Sequence, residues 1–255
     1  MAGMRIEDSV CLVTGGNRGV GEAFVRALIA AGARRVYVGV RDPSNATHLI
    51  VEAPEKISAV RLDVTRPDQI AEAAAACGDV SILVNNAGAF LNRRLIGAED
   101  ISAAREEMET NYFGMLGMCR AFAPVLAKSG GGAIVNVLSS GGLVAVPAMG
   151  GYSPSKFAAR AATACIRAEL ADQQTQVSAL IVGSVDTRMA AHVAGHKEAP
   201  ADIAKAGLNA IRRGIDELDT DTMAVEVRAS LHRDPKALER SMARMLKVDQ
   251  VSTGR

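Results

Sequence analysis

The chain has 255 residues, 49% of them hydrophobic, and a formal net charge of +1 at pH 7. This length and apolar content suit one domain with a large buried core, and we expect a single domain over residues 1–255. The near-neutral charge gives no reason to expect nucleic acid or an anionic membrane as a partner. No apolar stretch approaches a membrane span and no secretory apolar segment precedes the first strand, so we expect a cytoplasmic protein.

The first predicted elements are a strand, a glycine-rich loop and a helix. Residues 9–14 are apolar and β-branched, and residues 22–31 have helical periodicity. The loop between them consists of Gly15, Gly16, Asn17, Arg18, Gly19, Val20 and Gly21. In such a unit Gly15 permits a sharp turn, Gly19 lets the backbone approach a pyrophosphate, and Gly21 lets the helix pack on the strand. The pattern predicts a dinucleotide site at the helix N-terminus.

The end of the second predicted strand, residues 35–40, indicates which dinucleotide binds. An acid at this point usually binds the ribose 2′-hydroxyl, whereas an arginine accommodates a 2′-phosphate. Here the apolar Val40 is followed by Arg41, and Arg18 in the glycine loop supplies a second guanidinium. Two guanidinium groups, whose planar geometry matches that of a phosphate, predict NADP(H) rather than NAD(H). The alternative is that Asp42 binds the ribose and both arginines are solvated.

The elements that follow alternate between apolar strands and helices. Strands are predicted at residues 57–61, 80–84, 132–138 and 177–182, and long helices near residues 100–128 and 151–171. Alternation predicts an α/β fold with a Rossmann-like, doubly wound parallel sheet, helices on both faces, and ligands at the carboxyl ends of the strands. Residues 190–215 are predicted to form a substrate lid, and residues 222–247 two C-terminal helices.

Tyr152 and Lys156 stand four residues apart in a segment predicted to be helical. Side chains at this spacing share a helix face, so the ammonium can lie beneath the phenol and lower its pKa. This favours a tyrosine that exchanges protons near neutral pH. The serine pair Ser139-Ser140 precedes the tyrosine by twelve to thirteen residues. The alternative is that the spacing of Tyr152 and Lys156 is a coincidence. The glycine-rich loop earlier in the chain argues against that alternative.

With these motifs the sequence resembles the short-chain dehydrogenase/reductase family over residues 9 to 190. The resemblance implies that Asp63 and Val64 contact the adenine, and that the Asn85, Asn86, Ala87 and Gly88 turn lies beneath the cofactor. It also implies that Gly183, Val185 and Thr187 meet the nicotinamide. The family has a stiffening proline where this chain has Val182. The loop that begins there is therefore predicted to be less rigid.

The resemblance also implies the reaction, a hydride transfer between NADP(H) and a carbonyl or secondary alcohol. Tyr152 would donate or accept the proton, Ser139 rather than Ser140 would orient the carbonyl, Lys156 would hold the nicotinamide ribose, and Asn111 would lead to solvent through water. The cofactor carries the hard chemistry and the protein positions it. In the family the two long helices form dimer faces, so a homodimer or homotetramer is expected.

Chain position predicts an apolar substrate pocket, which suits an apolar ketone or aldehyde. Its predicted wall includes Phe90, Leu91, Leu143, Met149 and Met189. The alternative enzymes are a 3-oxoacyl-thioester reductase and a hydroxysteroid-type dehydrogenase, which would use the same four catalytic residues. A sensor that binds NADP(H) without turnover is a third possibility, but it would have no need of a proton relay.

No metal site is predicted. His192 and His196 are four residues apart but lack an evident third ligand, so we expect both to be solvated. The four cysteines are far apart among apolar or small neighbours, and we expect them to be reduced packing residues. They are Cys11, Cys77, Cys119 and Cys165.

Overall fold

The computed structural model describes residues 3–191, 193 and 195–252, with side chains described as far as residue 246. Within this part the chain forms a seven-stranded parallel sheet in the order β3-β2-β1-β4-β5-β6-β7. The strands are β1 Val10–Thr14, β2 Arg35–Val40, β3 Ile57–Arg61, β4 Ile82–Asn85, β5 Gly132–Val137, β6 Thr175–Ile181 and β7 Glu217–Asp219. The predicted fold class is confirmed, and the first six strands lie within two residues of their predicted bounds.

Helices cover both faces of the sheet. They are α1 Gly19–Ala30, α2 Thr47–Glu52, α3 Pro67–Ala76, α4 Ser102–Met108, α5 Met115–Lys128, α6 Tyr152–Glu169, α7 Pro200–Arg213, α8 Thr222–Arg233 and α9 Pro235–Ser252. One core includes Phe24 of α1 and Ile203 of α7, and the other includes Phe122 of α5 and Ile166 of α6. A strand between two such layers must be apolar on both sides, which is why its sequence is a continuous apolar run.

Alternation along β1 shows how one strand serves both cores. Cys11 and Val13 belong to the core beneath α1 and α7, whereas Val10 and Leu12 belong to the core beneath α3, α5 and α6. Successive strand residues point to opposite faces, so each contributes to one layer only. The order of the strands reverses between β1 and β4. Such a switch point leaves a crevice at the carboxyl ends of the strands, and ligands bind there.

Two predicted elements differ in the structure. The predicted helix at 100–128 is divided into α4 and α5 by a π-helical turn, Glu109–Gly114. Such turns are frequent at functional sites. The predicted lid at 190–215 contains α7, whose Ile203, Leu208 and Ile211 are buried in the core. Helix α7 therefore belongs to the layer that covers the sheet, and the predicted lid stays a prediction for residues 190–199.

The last two helices extend the layer beside α6. Leu238 of α9 packs with Val144 and Val146 from the segment after β5. The Arg94 guanidinium donates to the Leu246 carbonyl oxygen at 3.5 Å. The C-terminal helices therefore pack on the segment that follows β5 and are tied to the segment after β4. Among the described residues, no helix combines the length and the apolar content needed to cross a bilayer.

Candidate active site

The glycine loop has the conformation and the space that a phosphate group requires. Gly15 and Gly19 have φ angles of 61° and 55°, in the left-handed region that glycine tolerates. A Cβ atom at Gly21 would lie 2.3 Å from the Gly15 carbonyl oxygen, so only glycine fits there. Helix α1 begins at Gly19, and its N-cap Arg18 contributes no side-chain hydrogen bond. The first backbone N–H groups of the helix are therefore free of a capping side chain, as an anion site needs.

The turn after β4 is fastened to this loop by two polar side chains. The Thr14 hydroxyl oxygen accepts from the backbone N–H groups of Asn86 and Ala87, both at 3.0 Å. The Asn86 amide donates to the carbonyl oxygens of Thr14 at 3.0 Å and Gly15 at 3.2 Å. These hydrogen bonds from Asn86 therefore hold the start of the glycine loop in place. Thr14 was missed by the sequence analysis, since a threonine in an apolar strand indicates only β propensity.

Asn85 takes part in a different network from its neighbour. Its amide donates to Asn136 Oδ1 at 2.9 Å and to Cys119 Sγ at 3.3 Å. Asn136 in turn donates to the Thr163 hydroxyl at 2.9 Å. The side chain of Asn85 is therefore taken up by the core between the sheet, α5 and α6. Its predicted cofactor contact is corrected for that side chain, because strand alternation turns it away from the loop.

The end of β2 separates the roles of two neighbouring residues. Asp42 Oδ1 accepts from the Ser44 backbone N–H at 3.0 Å and from the Ser44 hydroxyl at 2.8 Å, and these bonds lower the pKa of Asp42. Arg41 and Arg18 are exposed and form no ion pair with any residue that the structure describes. The Asp42 carboxylate therefore caps the turn that follows β2, whereas the guanidinium groups of Arg18 and Arg41 remain available for an anionic ligand.

Asp63 and Val64 follow β3 at the same edge. Asp63 Oδ1 accepts from the Thr65 backbone N–H at 3.0 Å and from the Thr65 hydroxyl at 2.8 Å. The Asp63 backbone N–H donates to Gln69 Oε1 at 2.8 Å. Val64 is buried against Gly114 of the π-helical turn. The segment predicted to contact adenine is therefore held by its own turn and by the helix that carries Asn111.

Ser139, Tyr152 and Lys156 come together between the end of β5 and the start of α6. The Ser139 hydroxyl oxygen and the Tyr152 ring both lie beside Gly141, 3.4 Å and 3.8 Å from where a Cβ atom on that residue would stand. The Ser139 hydroxyl accepts from the Gly141 backbone N–H at 3.1 Å. The Lys156 ammonium lies 5.6 Å from the centre of the Tyr152 ring. It donates to the Val137 carbonyl oxygen at 3.0 Å, which leaves further N–H donors of the ammonium for a ligand.

The electrostatics of this triad differ from the prediction for Tyr152. Burial raises the pKa of the phenol, the Ser139 hydroxyl lowers it, and the negative charge of Glu107 raises it again. Burial also lowers the pKa of Lys156 to about 8. The expectation that Lys156 lowers the phenol pKa is therefore not met, since desolvation disfavours the charged forms of both groups.

Asn111 lies in the π-helical turn and links three segments. Its Oδ1 accepts from the Ala89 backbone N–H at 2.8 Å, and its amide donates to the Ala89 carbonyl oxygen at 2.9 Å. The same amide donates to the Ser155 hydroxyl at 2.9 Å, and Ser155 donates to the Tyr152 carbonyl oxygen at 2.6 Å. Asn111 therefore joins the segment after Gly88 to the first turn of α6.

The loop after β6 is anchored by a residue that the sequence analysis missed. Asp221 Oδ2 accepts from the Gly183 backbone N–H at 2.7 Å, while its Oδ1 accepts from the Ala224 N–H at the start of α8 at 2.9 Å. Val185 is buried, and Thr187 contacts the glycine loop at Gly19. The loop lacks the family's proline, but Asp221 supplies a substitute restraint.

The residues predicted to line the substrate pocket do not all lie beside Tyr152. Phe90 packs edge-on against the Tyr152 ring, with centroids 5.2 Å apart, and the sulfur of Met149 lies close to Gly141 on the same side. The Leu91 backbone N–H donates to Glu107 Oε1 at 2.7 Å, and Met189 is exposed. Leu143 is 3% exposed within the core next to α6. It is a packing residue, because the turn before it docks tightly on α6.

The remaining candidate residues are the histidines and the cysteines. Among the described residues, no cluster of three potential metal ligands occurs. His192 lies outside those residues, and His196 is exposed, 3.3 Å from Glu198. All four cysteines are free, but Cys165 is exposed on α6 rather than packed as predicted.

Comparison with known proteins agrees with this geometry. Residues 9–198 match the family described as short chain dehydrogenase. A short chain dehydrogenase structure from Burkholderia cenocepacia, in complex with NADP, superposes with a TM-score of 0.89 at 40% identity, covering 94% of this chain and 99% of that one. The 3-alpha-(or 20-beta)-hydroxysteroid dehydrogenase of Mycobacterium bovis is 33% identical over 72% of each chain.

A further relative is the dehydrogenase/reductase SDR family member 7B of Danio rerio. It is 32% identical over 72% of this chain, and the match spans 63% of that relative's length. The chain belongs to the short chain dehydrogenase family. The predicted family is thereby confirmed.

Proposed function

We propose that the protein is an NADP(H)-dependent oxidoreductase that interconverts an apolar ketone or aldehyde with the corresponding alcohol. The observation that carries the proposal is the convergence of Ser139 and Tyr152 beside Gly141, with the buried ammonium of Lys156 one helical turn further along α6. A phenol with a hydroxyl group and a cation close by is suited to exchanging a proton with a carbonyl oxygen.

The crevice has the features that a nicotinamide dinucleotide requires. Gly21 leaves a cradle that any Cβ would fill, and the start of α1 has no side-chain cap. At the other end of the site, the Ser184 hydroxyl is buried without a hydrogen-bond partner among the described residues. Residues that would hold the cofactor are Asn17, Arg18, Val20, Arg41, Asp63, Val64, Ala87, Gly88, Lys156, Gly183, Val185 and Thr187. When bound, the nicotinamide supplies the hydride-transfer chemistry.

The residues around Tyr152 would then do the proton work. Ser139 would donate a hydrogen bond to the carbonyl oxygen, where negative charge develops during reduction. Tyr152 would protonate that oxygen, and its raised pKa keeps it in the proton-donating form at neutral pH. Lys156 would bind the nicotinamide ribose. The amide of Asn111 would keep the first turn of α6 and the segment after Gly88 in register with these groups.

Two observations support NADP(H) as the coenzyme. Asp42, the alternative ribose ligand, is engaged with Ser44, whereas Arg18 and Arg41 are exposed and without an ion pair among the described residues. The Burkholderia relative, 40% identical, was crystallised with NADP. The hydroxysteroid dehydrogenase relative keeps a bulky ketosteroid among the substrate candidates. A 3-oxoacyl thioester is the other candidate named by the sequence.

The test is a screen that follows NADPH depletion by the absorbance of the reduced coenzyme near ~340 nm. Aliphatic and aromatic ketones, aldehydes, ketosteroids and 3-oxoacyl thioesters are compared. We expect turnover with at least one apolar carbonyl, and a loss of about a thousandfold or more in Tyr152→Phe with coenzyme binding retained, because only the proton-transferring oxygen is removed. Absence of turnover with every class, or near-normal turnover in Tyr152→Phe, would overturn the proposal.

We also propose that the chain assembles as a homodimer or homotetramer through α5 and α6. Between these helices lies a groove of about 660 Å³ lined by Tyr112, Leu116, Cys119, Arg120, Ala123, Ala158, Ala161, Ala162, Cys165, Ile166, Glu169 and Leu170. The small side chains on α6 allow another helix to approach closely. A cytoplasmic location remains part of the proposal and is supported by the four free cysteines.

A further inference from the structure

Glu107 is a buried carboxyl group that the proposed reaction leaves without a role. It lies in the last turn of α4 and is 0% exposed. Its Oε1 accepts from the Leu91 backbone N–H at 2.7 Å, whereas its Oε2 is buried and has no partner among the described residues. A carboxylate is almost never fully buried without pairing, since desolvation of its charge is costly. A group kept there at such cost calls for a function.

The carboxyl group contacts both segments that flank the reacting phenol. A Cβ atom at Gly151 would lie 2.8 Å from Glu107 Oε2, so that oxygen rests against the residue directly before Tyr152. On its other side, Leu91 follows Phe90, whose ring packs on the Tyr152 ring. Helix α6 begins at Tyr152 without a side-chain cap, and a negative charge near such a helix start is favourable.

We propose that Glu107 is a positioning residue for the reaction. Its Oε1 fixes the Phe90–Leu91 wall of the pocket, and its negative charge holds the Tyr152 phenol in the protonated form that donates to a carbonyl oxygen. Glu107 thereby favours carbonyl reduction over alcohol oxidation at neutral pH. This inference rests on the proposed function of Tyr152 as the proton donor.

The surrounding charges agree with this role. The groups that act on the phenol are Lys156 on its own helix, the Ser139 hydroxyl and Glu107 on α4. The charge that acts on the Glu107 carboxyl is Glu106 on the same helix, and burial is the main cause that raises the pKa of Glu107. A carboxyl with a raised pKa still ionises below the pH range in which a buried phenol titrates. Glu107 is therefore charged when Tyr152 loses its proton.

The experiment measures the phenol directly and needs no substrate. The chain has three tyrosines and no tryptophan, so phenolate absorbance near ~295 nm is readily resolved. The titration of Tyr152 is the difference between a protein and its Tyr152→Phe counterpart. We expect Glu107→Gln to lower the midpoint by at least about 0.5 pH unit, because the amide keeps the shape and removes the charge. Glu106→Gln, which removes an exposed charge from the same helix, should leave the midpoint unchanged.

An unchanged midpoint in Glu107→Gln, or an equal shift in Glu106→Gln, would overturn the electrostatic role. The positioning role is tested with steady-state kinetics, since Gln retains an acceptor for the Leu91 N–H and Leu does not. We expect Glu107→Leu to raise the KM for the carbonyl substrate at least about threefold above that of Glu107→Gln. Equal KM values would contradict it. If the wild-type protein turns over no carbonyl, the proposed function fails, while the titration still reports on Glu107 and remains decisive where Glu107→Leu does not fold.

Discussion

Arg41 and Asp42 are adjacent in the sequence, yet the structure gives them different tasks. Asp42 caps the turn that follows β2 through Ser44, whereas Arg41 is exposed and free of an ion pair among the described residues. A carboxylate that already accepts two hydrogen bonds is a poor candidate for a ribose ligand. Selectivity for the 2′-phosphate is therefore expected to depend on Arg41, with Arg18 as the second cation.

Replacing Arg41 by Ala should raise the KM for NADPH about ten- to a hundredfold, since one charge-assisted hydrogen bond to phosphate is lost. The KM for NADH should change by less than about twofold. Initial rates with both coenzymes measure this directly. Arg34→Ala is the matched control, because Arg34 is an exposed arginine just before the opposite end of β2, near Asp79. Equal increases in the KM for NADPH and for NADH would mean that Arg41 does not bind the 2′-phosphate.

At this scale the sequence predicted the residues whose spacing is informative. Tyr152, Lys156 and Ser139 lie together as their separation and the family motif indicated. Glu107 could not be predicted, because a glutamate within a charged helical stretch has the pattern of a solvated surface residue. Its burial arises from contacts with residues far along the chain, Leu91 and Gly151. Leu143 was misplaced for the same reason, since apolar character alone does not separate a pocket wall from a core.

Among the elements, the loop after β6 shows how one restraint can replace another. Proline would stiffen this loop by fixing a backbone angle. This chain instead has Val182, and the Asp221 carboxylate holds the next residue, Gly183, by its N–H while capping α8. The loop is therefore tied to a helix that begins after β7. Its rigidity depends on tertiary contact rather than on local chain stiffness.

Asp221→Ala should lower the free energy of unfolding by about 1–3 kcal/mol, since it removes a helix cap and leaves the Gly183 N–H without an acceptor. It should also weaken NADPH binding severalfold, because the loop after β6, which we propose to meet the nicotinamide, loses its anchor. Urea denaturation and titration of NADPH fluorescence measure the two effects. Asp234→Ala is the control: Asp234 caps α9 through the Ala237 N–H at 2.9 Å and does not touch the loop. A similar loss of NADPH affinity in the control would contradict the anchoring role.

The strands were predicted because each is a continuous apolar run, which a strand between two helical layers requires. Strand β7 was missed, since the three residues Glu217–Asp219 at the sheet edge have no such run. The π-helical turn was also missed. It alters hydrogen-bond spacing without altering the apolar pattern, so periodicity predicts one helix where the structure has α4 and α5.

For the whole molecule, the exposed groove between α5 and α6 bears on assembly. Ala161→Arg should reduce the wild-type oligomer to a smaller species, because a large charged side chain cannot be buried between closely packed helices. Sedimentation velocity gives the mass of each species. Ala71→Arg, an equal change at an exposed position of α3, should leave the mass unchanged. A monomeric wild-type protein, or an Ala161→Arg oligomer of unchanged mass, would contradict assembly through this face.

The tie between Asp221 and Gly183 also has a consequence for the order in which the protein matures. It joins residues 38 positions apart, and the bond from Arg94 to Leu246 joins residues 152 positions apart. Both partners from the later part of the chain lie beyond residue 198, where the match to the family ends. During synthesis on the ribosome, the Gly183 N–H has no Asp221 acceptor until the start of α8 has emerged. We therefore expect tight coenzyme binding to be acquired late in biosynthesis.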